Sequence, residues 1–168
     1  KEDKNKDIIE NNNSSEMSVN NNSVVFQLIL DKLYRNPIDS IVRELSCNAI
    51  DIQKLNDINT RFFIQEPSVE YPSFIIRDFG TGLSPNQVEK ELNTLLFSTK
   101  TDCSVSSGGY GVGSKSPFSL VETYNMTSFF LGTKYDYVWT LNKQNSTPIL
   151  TLVSEEPTTE PNGLLIDI

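Results

Sequence analysis

The stretch IIRDFGTGLSPNQ, residues 75–87, most narrows what this chain can fold into. A run of β-formers ends at a carboxylate, Asp78. Gly80 and Gly82 follow two and four places later, and then Ser84-Pro85. β-Branched and aromatic residues favour a strand, and glycines let the backbone turn sharply. Serine before proline is a helix start, with Ser84 as N-cap and Pro85 at the first helical position. The chain must therefore run strand, tight turn, helix, with an acid at the end of the strand.

The flanking segments extend this pattern. SVVFQLILDKLYRN, from Ser23, carries apolar residues at helical spacing and stops before Pro37. PIDSIVRELSCNAIDIQKLN reads as a second helix, with Ile38, Ile41, Val42, Leu45, Ala49 and Ile52 keeping a stripe. RFFIQEP and SFIIRDF read as short strands, and SPNQVEKELNTLLF as a third helix. STKTDCSVSSGGYGVGS is a long polar, glycine-rich loop, and loops of that length in compact domains are usually functional. KSPFSLV reads as a short helix. YNMTSFFLGTKYDYVWTLN alternates around LGTK as a β-hairpin, and TPILTLVSE and GLLIDI supply two more strands. The order predicts an α+β sandwich, one mostly antiparallel or mixed sheet covered on one face by helices.

The 168 residues suffice for one domain, taken as residues 23–168. Residues 1–22 are charged and Asn/Ser-rich and read as a flexible arm, in which a short strand is not legible. The chain begins at Lys1 rather than Met, so a piece of a longer protein is expected. A net charge of −8 argues against a nucleic-acid-binding surface, because a phosphate backbone demands a basic field. Cys47 and Cys103 have no metal-ligand spacing and histidine is absent, which argues against a zinc site and against a mechanism that needs a histidine base from this chain. No apolar run approaches the ~18 residues of a membrane span, and a reducing, cytoplasmic setting is expected.

Three constellations carry chemistry. Glu44, Asn48 and Asp51 stand at i, i+4 and i+7 and so share one helix face. Asn offers a neutral oxygen to a hard cation such as Mg²⁺, and Glu one turn earlier could deprotonate a water. A solvated polar face is the plainer alternative. Ionised Asp78 is acceptor-only and suits an exocyclic amine such as that of adenine; a tight turn would also use the same residues. In SSGGYGVGSKSPF, Gly108, Gly109, Gly111 and Gly113 lead into a helix near Ser114. Backbone N–H groups converging there favour an anion, and Lys100 and Lys115 could add charge for a triphosphate. The Asp-Phe-Gly trio is not a protein-kinase loop, since no His-Arg-Asp loop exists in a chain without histidine. The glycine loop does not fit the P-loop spacing either.

In this order RELSCNAID, DFGTG and GGYGVGS resemble the motif series of Bergerat-fold (GHKL) ATPases, the superfamily of gyrase B subunits, MutL, large heat-shock chaperones and histidine-kinase catalytic domains. From about Gln27 onward, LYRNPIDSIVRELSCNAID, RDFGTGLSP, FSTKTD and GGYGVGSKSPF look like the N-terminal part of the rIIA-type proteins of tailed phages. The resemblance implies a two-layer Bergerat sandwich with ATP and Mg²⁺ as cofactors, located in the host cytoplasm if phage-encoded. Glu44 would be the catalytic base and Asn48 the metal ligand. Asp51 would line the pocket, and Asp78 would bind the adenine amine. Gly80 and Gly82 would shape the turn, with Gly82 beneath the base. An ATP lid over about 97–113 would bring Lys100, Gly109, Gly111, Val112 and Gly113 to the phosphates, joined by Ser114 and Lys115 just beyond it. The family's late glycine is followed by threonine; here Gly163 is followed by Leu164, a departure that puts that motif in doubt. The family's catalytic lysine comes from a following domain.

The resemblance thus implies slow, Mg²⁺-dependent ATP hydrolysis used as a conformational switch, and dimerisation on ATP binding, for which the Asn-rich arm is the candidate segment. Two other functions compete. A histidine-kinase-like phosphotransfer domain usually has Lys or Arg at the place of Asp51. A nucleotide-sensing module would bind ATP without turnover.

Overall fold

The computed structural model describes residues 14–16, 26, 30, 31, 35–92, 113–142, 144 and 147–168; for 14–16 it describes the backbone alone. Much of the expected lid, including Lys100, Gly109, Gly111 and Val112, lies outside the described residues, as does most of the expected first helix. Of that helix Phe26 and Leu30 are helical and buried in the main core, one turn apart as the apolar spacing predicts.

The described strands form one seven-stranded sheet in the order β1-β6-β5-β4-β7-β3-β2, with every pairing antiparallel. They are β1 (Ser14–Glu16), β2 (Phe63–Gln65), β3 (Ile75–Arg77), β4 (Thr123–Phe130), β5 (Thr133–Leu141), β6 (Pro148–Pro157) and β7 (Gly163–Asp167). β4 and β5 make the expected hairpin. Leu131 and Gly132 both take positive φ, 48° and 79°, which matches the right-handed twist of the strands. Leu131 is held in that conformation by its N–H, which donates to Asn162 Oδ1 at 3.0 Å. β1 is the short strand within the arm that the sequence leaves unread; it runs along β6 with Ser14 opposite Thr151.

Alternation puts Tyr124 and Met126 of β4, Tyr137 and Trp139 of β5 and Leu150 of β6 on one face. These pack with Phe26, Leu30, Val88 and Phe118 as the main core. Phe118 meets Tyr124 and Trp139 edge-on, with ring centroids 5.0 and 6.2 Å away. Helix α1 (Pro37–Leu55) covers the other end of the same face, where Ile41, Leu45 and Ala49 pack with Ile76. The long helix predicted from Pro37 is thus present. Pro37 opens it at the expected position, since its missing N–H would have lacked a partner there anyway.

The helix expected after Ser84 begins as predicted. Ser84 Oγ accepts from the Gln87 N–H and Gln87 Oε1 accepts from the Ser84 N–H, a reciprocal cap around α2 (Pro85–Gln87). It then widens into a π-helical turn over Val88–Leu92, which carries Val88 and Leu92 to the core. The short helix expected at KSPFSLV is a 3₁₀-helix that starts earlier, at Gly113, and ends at Ser119. Among the described residues no helix is long and apolar enough to cross a membrane.

Candidate functional site

Helix α1 joins two segments far apart in sequence. Glu44, Asn48 and Ile52, spaced by four residues, lie along one face. At one end of that face the 3₁₀-helix arrives. A Cβ placed on Gly113 would stand 3.0 Å from Glu44 Oε2 and 3.5 Å from Asn48 Nδ2. At the other end the Asp78–Gly82 turn arrives. A Cβ on Gly80 would stand 2.7 Å from Ile52 Cγ1 and 3.0 Å from Asp78 Oδ1. Two glycines thus let two loops approach one helix face closely, and a side chain there would require Glu44 or Ile52 to shift.

Glu44 is buried, 9% exposed, although it is charged. Its Oε1 accepts from Arg43 Nη2 at 3.0 Å, while Oε2 is turned toward Gly113. Arg43 is 63% exposed at its side chain, so the pair sits at the rim rather than in the core. Asn48 and Asp51 are half-buried. Among the described residues no group of three His, Cys, Asp or Glu side chains stands together as a metal cage.

Asp78 follows β3. Its N–H donates to the Leu164 carbonyl at 2.9 Å, and its Oδ1 accepts from the N–H groups of Gly80 at 2.8 Å and Leu164 at 3.2 Å. Oδ2 takes no hydrogen bond from the described residues. Burial raises this carboxyl above its ordinary value, while the two backbone N–H groups and the charge of Arg77 pull the other way.

The turn after Asp78 is held from the sheet side. Gly82, at φ +67°, lies so close to β4 that a Cβ would come within 2.0 Å of the Phe129 carbonyl oxygen. Ser128 Oγ, fully buried, accepts from the Leu83 N–H at 2.8 Å and donates to the Leu83 carbonyl at 2.7 Å. Gly82 is therefore spent on closing the turn against β4. Sequence reasoning missed Ser128. Its signal was a hydroxyl at an inward position of a strand whose other inward residues, Tyr124 and Met126, are large.

Gly163, at φ +147°, begins β7 with its α-carbon against Asp78; a Cβ would stand 2.1 Å from the Asp78 carbonyl oxygen. Leu164 thus occupies the position beside Asp78, and it is the Leu164 backbone that binds the carboxylate.

The residues just after Gly113 also contact the sheet. The Ser114 carbonyl accepts from Tyr124 OH at 2.8 Å, which ties the 3₁₀-helix to β4. Lys115 is 1% exposed, with Nζ 5.7 Å from the Trp139 ring centroid. Burial lowers its ammonium to about 7. The structure thus brings together Glu44, Asn48 and Gly113, and places Asp78 with Gly80 at the other end of the same helix face.

No protein-family model matches the chain, and a search of curated proteins finds no similar sequence.

Proposed function

We propose that this domain binds ATP with Mg²⁺ and hydrolyses it slowly, in the manner of Bergerat-type ATPases. The observation that carries the reading is the α1 face on which Glu44 and Asn48 meet Gly113 while Ile52 meets the Asp78 turn. One helix would then span a nucleotide from its base end to its phosphate end. Asp78 would take the base, with Oδ2 accepting from the adenine 6-amine. Gly113 and the glycine-rich segment before it would lie at the phosphates.

The residues present fit Mg²⁺. This ion keeps most of its water and takes only one or two protein ligands when phosphates complete its shell, so Asn48 with a nearby carboxylate is a sufficient set. When bound, it would neutralise charge developing on the phosphate oxygens. Glu44 would accept a proton from the water that attacks the γ-phosphorus. The P–O bond to the bridging oxygen breaks, and ADP leaves with the electron pair. Burial at the junction with Gly113 would keep the Glu44 carboxylate in one orientation.

One observation favours a second reading, an ATP-sensing module without turnover: Glu44 Oε1 is already engaged by Arg43. Calorimetric titration with ATP and with a non-hydrolysable analogue, each with and without Mg²⁺, tests binding. Release of free phosphate in the same samples decides between the two readings. Absence of adenine-nucleotide binding in both titrations rejects both.

A further inference from the structure

We infer that Arg77 is a positioning residue for the base site, acting on Asp78 from the opposite face of the sheet. The inference rests on the ATP reading for what Asp78 binds. Arg77 and Asp78 are consecutive along an extended strand, so their side chains leave on opposite faces. Asp78 turns to the helix side. The Arg77 guanidinium lies on the other side, 4.2 Å from the Phe129 ring centroid and 5.0 Å from that of Phe79. From there it donates to Glu160 Oε2 at 3.0 Å and to the Pro161 carbonyl at 3.1 Å.

Those two bonds fasten the turn between β6 and β7 to the end of β3. The strand leaving that turn starts with Gly163, pressed onto the Asp78 backbone, and continues with Leu164, whose N–H holds Asp78 Oδ1. Arg77 thus fixes the turn, the turn fixes Leu164, and Leu164 commits one carboxylate oxygen so that Oδ2 points to the ligand. The same guanidinium packs on Phe129, whose carbonyl is the surface against which Gly82 closes the Asp78–Gly82 turn. Both backbone segments that frame Asp78 therefore pass through one side chain.

Stability alone is a poor account of this arginine. Its ion pair joins an Arg77 side chain 14% exposed to a Glu160 side chain 55% exposed, so solvent screens it in part. Its Nε–H is buried with no acceptor among the described residues, which is a cost.

The test uses the full chain, its Arg77→Gln variant and purine riboside triphosphate, which lacks the 6-amine that Asp78 would bind. Calorimetric Kd values for ATP and for this analogue give the preference for the amine. The wild type should prefer ATP. In Arg77→Gln, ATP should bind roughly tenfold more weakly, the scale of one hydrogen bond to a charged group, while the analogue changes little. Arg77→Lys, which can still reach one of the two acceptors, should recover part of the preference. Equal weakening of both nucleotides, or an intact preference in Arg77→Gln, overturns the proposal. A wild type without preference overturns the base assignment instead. Where Arg77→Gln does not fold, Glu160→Ala removes the acceptor from the exposed side; it should lower the preference severalfold, and no change there also overturns the proposal.

Discussion

Gly113 lies against Glu44, with room for a hydrogen and not for a methyl group: a Cβ would stand 3.0 Å from Glu44 Oε2. Gly113→Ala should therefore displace the carboxylate by a few tenths of an ångström. Small misplacements of a reacting group are costly, so phosphate release should fall by about tenfold or more. ATP affinity should change much less. Unchanged turnover in a folded Gly113→Ala variant would separate Glu44 from the chemistry.

Glu44 and Asn48 sit one turn apart and should fail differently. Glu44→Ala removes the base and should keep ATP affinity while losing turnover by roughly 10²–10⁴-fold. Asn48→Ala removes a metal ligand and should lose Mg²⁺-dependent affinity and turnover together, leaving metal-free binding nearly unchanged. Titration and phosphate release on the two purified variants resolve this. Wild-type turnover in Glu44→Ala rejects Glu44 as the base.

Asp78→Asn should weaken adenine-nucleotide binding by about 1–3 kcal/mol, because the amine then faces a group that can present a donor. A pH series adds an independent check. Only the ionised carboxylate accepts from the amine through either oxygen, so affinity should fall as pH falls through the Asp78 value. Burial raises that value above 3.8, so the loss should begin at higher pH than for an ordinary aspartate. The Asn variant should not show this pH dependence.

Lys115 should make stability depend on pH. Its ammonium is lowered from 10.5 to about 7 in the folded chain. Between these values the unfolded chain holds a proton that the folded chain does not, so stability should rise from pH 7 toward 10.5 and fall on the way back. Lys115→Met should flatten this slope. Urea unfolding midpoints at three or four pH values measure it. A slope unchanged by the substitution would assign the dependence to other groups.

Local rules were enough for the elements that rest on them. The stripe from Ile41 to Ala49 predicts α1, Ser84-Pro85 predicts the start of α2, and the alternation around LGTK predicts the β4–β5 hairpin, because periodicity and caps act over a few residues. One helix face for Glu44 and Asn48 follows from spacing for the same reason. Spacing could not say that Gly80 and Gly113 arrive at the two ends of that face, since sequence carries no distance between Asn48 and glycines 32 and 65 residues further along the chain. It could not say that Lys115 turns inward to Trp139 either. That depends on the 3₁₀-helix packing on the sheet beside Tyr124, where Lys115 is buried. The partners of Asp78 were equally beyond reach. Leu164 meets it through backbone atoms, which no side-chain pattern encodes, and only the pairing of β3 with β7 brings them together.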